Sequence, residues 1–467
     1  MSAPDRRPSR AAWITSALLA ATATPWWGWH LGRPARPYWD EGFYLTDAHR
    51  FFRPDGLLTN PEHPPLGKWL FGLAITIAGD DAFGWRVTSL IASVLLVASL
   101  PLWLEPLGIV RASSPRWLLA LPSCVLLVDP LVYSTARIAM LDAVLVLFYV
   151  SAALALVLSC TEGISPERAR RARIAAGVLA GLALGTKWTA LTLLPIFFVA
   201  NVSLEAGHVR FRRRMLAELF APCALVYLAC FALPGATSFD LHAFPQTDGP
   251  LDPSLPWPAR VAIVHARMVT YHTYYFRSDQ SSRWYEWLIA RQALDYTVRH
   301  EGQLVRVIAA IGSPVTWIVG ELATLGVLVA AVRERHRATL LLVGFPLMQL
   351  AFWAVVLRMT LLYYMTAIVP FFALALTLAI AQRLDVATDR AKSLSRVSIA
   401  IAALLSLGVG WHVYVLPLVR GDALREEELT ALARGPFGAF LFHDAMPVER
   451  VIDLARSDGF GAARLDP

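Results

Sequence analysis

The stretch that decides the topology of this chain covers residues 174–204 and reads IAAGVLAGLALGTKWTALTLLPIFFVANVSL. It is largely apolar and carries a single charge at Lys187, so it could form one long helix or two shorter ones that meet near this lysine. Arginine clusters lie on both sides of it, at residues 168–173 and 210–214. Because arginine and lysine accumulate in cytoplasmic loops, both clusters belong on the same side of a membrane. The stretch is therefore predicted to cross the membrane twice.

The rest of the chain has the same apolar character. Of its 467 residues, 56% are hydrophobic and 16% are charged, and the mean hydropathy is +0.51. Soluble proteins are about 25% charged, so the composition excludes a cytosolic enzyme and a disordered chain. A membrane span needs about 20 apolar residues, and runs of this kind recur along the sequence. The predicted spans are 12–31, 86–104, 117–134, 141–159, 174–186, 188–204, 216–234, 305–332, 338–357, 361–381 and 397–417.

The arginine distribution also orients the predicted bundle. Further clusters lie at residues 6–10 and 333–337, and placing all four clusters in the cytoplasm gives about eleven spans. The N-terminus is then inside and the C-terminus outside. The first run also resembles a signal peptide, and the segment after it emerges outside in either case. The predicted fold class is an all-α polytopic membrane protein.

Two loops and a tail are predicted on the external side of the membrane. The loops cover residues 33–85 and 235–304, and the tail covers residues 421–467, leaving residues 1–420 as one transmembrane domain. The net charge of +7 does not indicate a nucleic-acid partner, because the arginines occur as short clusters between apolar runs. The four cysteines lie in or beside apolar segments, without metal-ligand spacing, and are expected to be free thiols.

The first external loop carries two adjacent carboxylates, Asp40 and Glu41, flanked by aromatic residues. Near a bilayer an ionised carboxylate is costly unless it is paired or used in function. Like charges side by side raise one pKa, which suits a general base that works near neutral pH. The alternative is a solvated loop with two acids and a tryptophan at the interface.

A second motif in the same loop reads NPEHPPLGKW, from Asn60 to Trp69. Proline is favoured at the first position of a helix, so an amphipathic interfacial helix is predicted to begin near Pro65. His63 and Lys68 could face an anionic group at headgroup depth. The alternatives are a helix-entry hydrogen bond for His63 and snorkelling for Lys68.

Further charged residues lie at the predicted external ends of the apolar runs. Membrane-embedded ionisable groups are candidates for function, and an outward-facing cation cluster suits a lipid phosphate. The alternatives are interface anchors or intramembrane ion pairs, for example between Arg137 and Asp142. The group comprises Arg86, Arg137, Asp142, Lys187 and Arg358.

In order and spacing, these motifs resemble those of the protein O-mannosyltransferases, glycosyltransferase family 39 of the GT-C superfamily. The resemblance covers about residues 38–375. Beyond the two loop motifs it includes TrpArgValThrSerLeu from Trp85, AlaArgIleAlaMetLeuAsp from Ala136 and GlyThrLysTrp from Gly185. Later matches are MetValThrTyrHis, which ends at His272, SerArgTrpTyrGluTrp from Ser282, and Arg358 with Tyr363-Tyr364.

The resemblance implies a GT-C-type bundle with capping loops and an inverting transfer of a sugar, mannose or another hexose, from a polyprenyl phosphate to a hydroxyl group. Asp40 would be the general base and Glu41 its essential neighbour. Partners would be the lipid-linked donor, membrane lipid and a protein, glycan or lipid acceptor, at the external face of a bacterial inner membrane. The residues implied to bind substrate or support the site are His63, Lys68, Arg86, Arg137, Asp142, Lys187, His272 and Arg358.

The sequence also departs from the family pattern. The second external loop is too short for the sugar-binding-like domains inserted in eukaryotic members, and Ser278-Asp279-Gln280 stands where the family often has His-Pro-Tyr. No cofactor is firmly implied, although a divalent metal held by Glu62, His63 and the acid pair stays open. The alternatives to an enzyme are a transporter or flippase and a non-catalytic subunit of a glycosylation complex.

Overall fold

The computed structural model describes residues 7–52, 57–205, 208–211, 213–239, 251–275, 278–356, 358–387 and 389–457. Parts of the two predicted external loops and of the predicted tail, residues 53–56, 240–250, 276–277 and 458–467, therefore lie outside the described residues. The helices are α1 (Arg10–Gly28), α2 (Glu41–Phe51), α3 (Leu66–Ala78), α4 (Ala82–Leu104), α5 (Leu121–Leu127), α6 (Pro130–Ala136), α7 (Leu141–Ser159), α8 (Pro166–Thr186), α9 (Leu193–Ala200), α10 (Arg213–Cys230), α11 (Trp257–Thr270), α12 (Trp284–Trp287), α13 (Pro314–Glu334), α14 (Arg337–Val355), α15 (Val369–Asp385), α16 (Arg390–Arg420), α17 (Glu426–Arg434), α18 (Gly438–Leu441) and α19 (Val448–Arg456). The strands are β1 (Val202–Glu205), β2 (His208–Phe211), β3 (Leu294–Glu301), β4 (Leu304–Ala310) and β5 (Ala423–Arg425).

The chain is a multi-pass membrane protein. Within the described residues, six helical segments are long and apolar enough to cross a bilayer. They are Ala82–Leu104, Leu141–Ser159, Pro314–Glu334, Arg337–Val355, Leu362–Asp385 and Arg390–Arg420. The other predicted spans coincide with α1, with α5 and α6 together, and with α8, α9 and α10. The count of about eleven stays a prediction.

The stretch 174–204 is divided at its lysine, as the arginine clusters predict. Helix α8 ends at Thr186, Lys187 is extended (φ −158°, ψ 137°), and a 3-10 turn leads into α9. Helix α8 packs closely on α10, because a Cβ on Gly177 would lie 2.3 Å from the Leu219 carbonyl oxygen. A Cβ on Gly181 would lie 2.6 Å from the Cys223 carbonyl oxygen. This close packing fixes where Lys187 leaves the helix.

One predicted span begins too early. The predicted span 305–332 is not a single helix, because β4 occupies its first residues and α13 starts at Pro314. Strand β4 is the middle strand of an antiparallel sheet with the order β3-β4-β5. When a buried apolar strand directly precedes an apolar helix, hydrophobic periodicity alone does not show where the strand ends and the helix begins. The all-α description therefore needs the addition of this small sheet.

The predicted C-terminal tail does not stand apart from the bundle. Its strand β5 pairs with β4, with Leu304 opposite Arg425, and α19 packs on β3. The Arg306 guanidinium also donates to the Gly421 carbonyl oxygen. The described part of the tail thus closes one side of the second predicted external loop.

The helix predicted from Pro65 is α3. The apolar face predicted for it is partly exposed, and Ile77 on that face is 77% exposed; the face comprises Leu66, Trp69, Leu70, Leu73 and Ile77. The opposite side, which carries Lys68 and Phe71, is fully buried against the protein. An exposed apolar face on a helix of this length agrees with an interfacial position.

Candidate active site

A cavity of about 250 Å³ lies where α2 and α14 meet the loops at one end of the bundle. Five of the ten residues singled out in the sequence line it, although they come from distant parts of the chain. These five are Asp40, His63, Lys187, His272 and Arg358. Aromatic and apolar side chains complete the wall, among them Tyr44, Trp188, Tyr271, Trp353, Tyr363 and Tyr364.

Asp40 stands directly before the first residue of α2, and its side chain does not cap that helix. Trp39 before it has a positive φ of 51°, which turns the chain sharply into the helix. The Tyr44 hydroxyl, one turn along, donates to Asp40 Oδ2 at 3.3 Å. Burial raises the pKa of Asp40 to about 6, and the Asp142 carboxylate adds to this while Lys187 opposes it. The raised pKa was expected from Glu41; its causes are burial and Asp142.

Glu41 does not line the cavity. Its carboxylate is fully buried and accepts two hydrogen bonds from Arg86, at 2.7 and 2.9 Å, and one from the Ala139 backbone N–H at 2.8 Å. Arg86 also donates to the carbonyl oxygens of Leu31 and Pro34. The pair ties the loop that carries Asp40 to α4. This geometry supports a structural role for both residues, which for Arg86 is the supporting role that the resemblance leaves open. The catalytic role implied for Glu41 stays a prediction.

Lys68 and Arg137 also point away from the cavity. The Lys68 ammonium is fully buried, donates to Asp47 Oδ2 at 2.8 Å and contacts the Asn60 carbonyl oxygen. Arg137 donates to three carbonyl oxygens at the end of α1, those of Trp27, Trp29 and His30. These partners are backbone carbonyl oxygens and Asp47, which favours support of the site, one of the two expected roles, for both cations.

Asp142 pairs with Lys187 and not with Arg137. Both Asp142 oxygens accept from the Lys187 ammonium, at 3.0 and 2.8 Å. The same ammonium lies over the ring of Tyr363, 4.9 Å from its centroid. Lys187 therefore lines the cavity while its ammonium group is paired with Asp142. The suggested Arg137–Asp142 ion pair is wrong.

His272 connects Arg358 to the loop before α3. The Arg358 guanidinium donates to His272 Nδ1 at 2.6 Å and to the Tyr364 hydroxyl at 3.0 Å. His272 Nε2 lies 2.9 Å from the Glu62 carbonyl oxygen and must donate to it. Burial and the neighbouring guanidinium lower the pKa of His272 to about 3, so the ring is neutral and its tautomer is fixed. The ring thus orients the guanidinium toward the cavity.

Two further acidic residues, Asp47 and Glu62, gain importance from the structure, although the sequence singled out only Glu62, as a possible metal ligand. Asp47 lies in the middle of α2, fully buried, and holds Lys68 as well as the backbone N–H groups of Thr59 and Asn60. Glu62 lines the cavity, and burial raises its pKa to about 8. An acid inside an otherwise apolar-faced helix was the available signal for Asp47. Among the described residues, no group of three or more His, Cys, Asp or Glu side chains could hold a metal ion.

Comparison with known proteins identifies the class of molecule. Residues 62–234 match the sequence model of the dolichyl-phosphate-mannose-protein mannosyltransferase family. The chain is 26% identical to a polyprenol-phosphate-mannose–protein mannosyltransferase of Mycolicibacterium smegmatis, over 78% of this chain and 81% of that protein. The corresponding Mycobacterium tuberculosis protein is 27% identical over 79% of this chain and 80% of its own length.

Solved structures show the same fold. One chain of the Saccharomyces cerevisiae protein O-mannosyltransferase Pmt1-Pmt2 complex, bound to the sugar donor, superposes with a TM-score of 0.71 at 12% identity. The match covers 92% of this chain and 92% of that chain. ArnT from Cupriavidus metallidurans gives a TM-score of 0.51 at 16% identity, over 95% of this chain and 76% of ArnT. The chain thus has the GT-C-type fold of these membrane glycosyltransferases.

Within that class, the chain is a relative of the protein O-mannosyltransferases, which confirms the resemblance that the motifs predict. These relatives are named as enzymes that use polyprenol-phosphate mannose. Similarity to proteins named as enzymes favours an enzyme over the transporter and the non-catalytic subunit.

Proposed function

We propose that this chain transfers mannose from a polyprenyl-phosphate carrier to a hydroxyl group of a protein, with inversion at the anomeric carbon. The names of its relatives support the donor and the acceptor. The observation that carries the mechanism is Asp40, a half-buried carboxylate on the cavity wall whose pKa is raised to about 6. Such a group is ionised at neutral pH and still basic enough to accept a proton.

The reaction is a single displacement. Asp40 takes the proton of the acceptor hydroxyl as its oxygen forms a bond to the anomeric carbon, and the bond to the carrier phosphate breaks. The departing phosphate gains negative charge, which the cations of Lys187 and Arg358 stabilise from the same cavity wall. Retention would need a second, nucleophilic carboxylate. The adjacent Glu41 cannot supply one, because it is enclosed by Arg86.

The orientation follows from the length of the helices that end at the cavity. Helix α8 carries the arginine cluster 168–173 in its first turns and ends at Thr186, directly before the cavity-lining Lys187. Its 21 residues span about 30 Å. Helix α14 likewise begins at Arg337 and ends beside the cavity-lining Val356. Since arginine clusters mark the cytoplasmic side, the cavity opens at the external face, the periplasmic side of a bacterial inner membrane.

The test measures mannose transfer by purified protein and by Asp40→Asn, with Asp279→Asn, an exposed carboxylate elsewhere in the same external region, as the matched control. Transfer is expected to fall by at least 100-fold in Asp40→Asn and to stay unchanged in the control, since a positioned base contributes about 100- to 10,000-fold. Donor binding is expected to survive in both. Full activity in Asp40→Asn would show that the base is another group.

A further inference from the structure

The cavity contains a set of buried polar atoms that have no hydrogen-bond partner within the described part of the chain. They are Asn60 Oδ1, Glu62 Oε2 and His63 Nδ1. All three residues line the cavity, and all three come from one short segment, residues 60–63, called here the 60–63 wall. Buried polar atoms in native proteins nearly always find a partner, so three together on one cavity wall indicate a ligand.

The 60–63 wall is held rigidly by its backbone. Asp47 accepts from the Asn60 backbone N–H at 3.2 Å, and the buried Lys68 ammonium bridges Asp47 and the Asn60 carbonyl oxygen. His272 donates to the Glu62 carbonyl oxygen at 2.9 Å. Just before the wall, the Leu58 N–H donates to the Ser238 carbonyl oxygen at 2.8 Å. The unpaired side-chain atoms therefore belong to a preorganised surface.

The chemistry of the 60–63 wall suits uncharged hydroxyl groups. Asn60 offers an amide oxygen, which only accepts hydrogen bonds. Burial raises the pKa of Glu62 to about 8 and lowers the pKa of His63, so both side chains are uncharged at neutral pH. An anion such as the carrier phosphate gains more from Arg358 and Lys187, which the same cavity supplies.

We propose that Asn60, Glu62 and His63 form the subsite that binds the hydroxyl groups of the transferred sugar, and that this subsite selects the hexose. The inference rests on the proposed function, because it assigns the sugar of the donor to a particular wall of that cavity. The ligand is the sugar ring itself, and the carrier phosphate lies toward the cations. A neutral polyol matches an acceptor oxygen, a carboxylic acid and a neutral imidazole better than any charged group does.

The test separates the sugar from its carrier. Wild type, Glu62→Ala, Glu62→Gln and Asn60→Ala are each titrated with undecaprenyl-phosphate mannose and with undecaprenyl phosphate that carries no sugar. Glu427→Gln, an exposed carboxylate on α17, is the matched control. Transfer from the mannose donor and from the C2-epimeric glucose donor is then compared.

Glu62→Ala and Asn60→Ala are each expected to weaken binding of the mannose donor by about 3- to 10-fold, the range of one hydrogen bond to an uncharged partner. Binding of the sugar-free carrier is expected to stay unchanged, which also shows that the variants fold. Glu62→Gln is expected to bind the mannose donor more tightly than Glu62→Ala does, and the preference for mannose over glucose is expected to narrow in both Glu62 variants.

Equal weakening of both ligands would overturn the proposal, because it would place the phosphate on the 60–63 wall. Unchanged donor binding in both alanine variants would overturn it as well. Failure of the wild type to bind or use any donor would instead contradict the proposed function, and it would be evident before any variant is compared.

Discussion

Replacing Glu41 by glutamine is expected to damage the fold more than the chemistry. Glu41 and Arg86 are both fully buried, joined by two hydrogen bonds of 2.7 and 2.9 Å. Removing one member of a buried ion pair leaves the other charge uncompensated and costs about 3–5 kcal/mol. Both Glu41→Gln and Arg86→Met should therefore lower the free energy of unfolding by about that amount.

The assay is a double-mutant cycle on the free energy of unfolding in detergent micelles. Because the two side chains contact each other, the double variant Glu41→Gln/Arg86→Met should lose clearly less than the sum of the two single losses. Activity per folded molecule should change much less than in Asp40→Asn. Single variants that are as stable as the wild type but have lost sugar transfer would refute this reasoning and would indicate a catalytic role for Glu41.

Two further predictions concern the bundle and the external sheet. Gly181→Leu should destabilise the protein by about 1–3 kcal/mol or more, because its Cβ would lie 2.6 Å from the Cys223 carbonyl oxygen. Thermal unfolding measures this loss of stability, and Gly344→Leu is the control because a Cβ there meets nothing within 4 Å. Burial raises the pKa of Asp295 from 3.8 to about 7, so the folded state holds a proton that the unfolded state has lost, and wild-type stability should fall as pH rises from about 4 to about 7. Asp295→Asn should remove that fall, and an unchanged pH dependence of unfolding in this variant would contradict the assignment.

Much of the fold was predictable because helices that cross a membrane produce a clear pattern of hydrophobic and charged residues in the sequence. Long apolar runs and arginine clusters place the helices, and the division of the stretch 174–204 at Lys187 follows from the two flanking clusters alone. The start of α13 was not predictable, since β4 is as apolar as the helix after it. Nor was the pairing of β5 with β4, because a strand of three residues leaves no pattern in the sequence.

The candidate site was half predictable. Asp40, His63, Lys187 and Arg358 were singled out from separate motifs and His272 from the resemblance, and the structure brings all five to one cavity. The failures share a physical cause: a charged residue near the membrane must find a partner, and its spacing in the sequence does not reveal which one. Arg86 pairs with Glu41, Lys68 pairs with Asp47, and Arg137 donates to backbone carbonyl oxygens.

The central claim, that Asp40 accepts the proton of the acceptor, is tested most directly by the pH dependence of kcat/KM for sugar transfer. Because the pKa of Asp40 is raised to about 6, transfer should be half-maximal near pH 6 and should fall about tenfold per pH unit below that. Binding of undecaprenyl-phosphate mannose is expected to stay level over the same interval. Transfer that stays constant down to pH 5, or the same profile in the residual activity of Asp40→Asn, would contradict the claim.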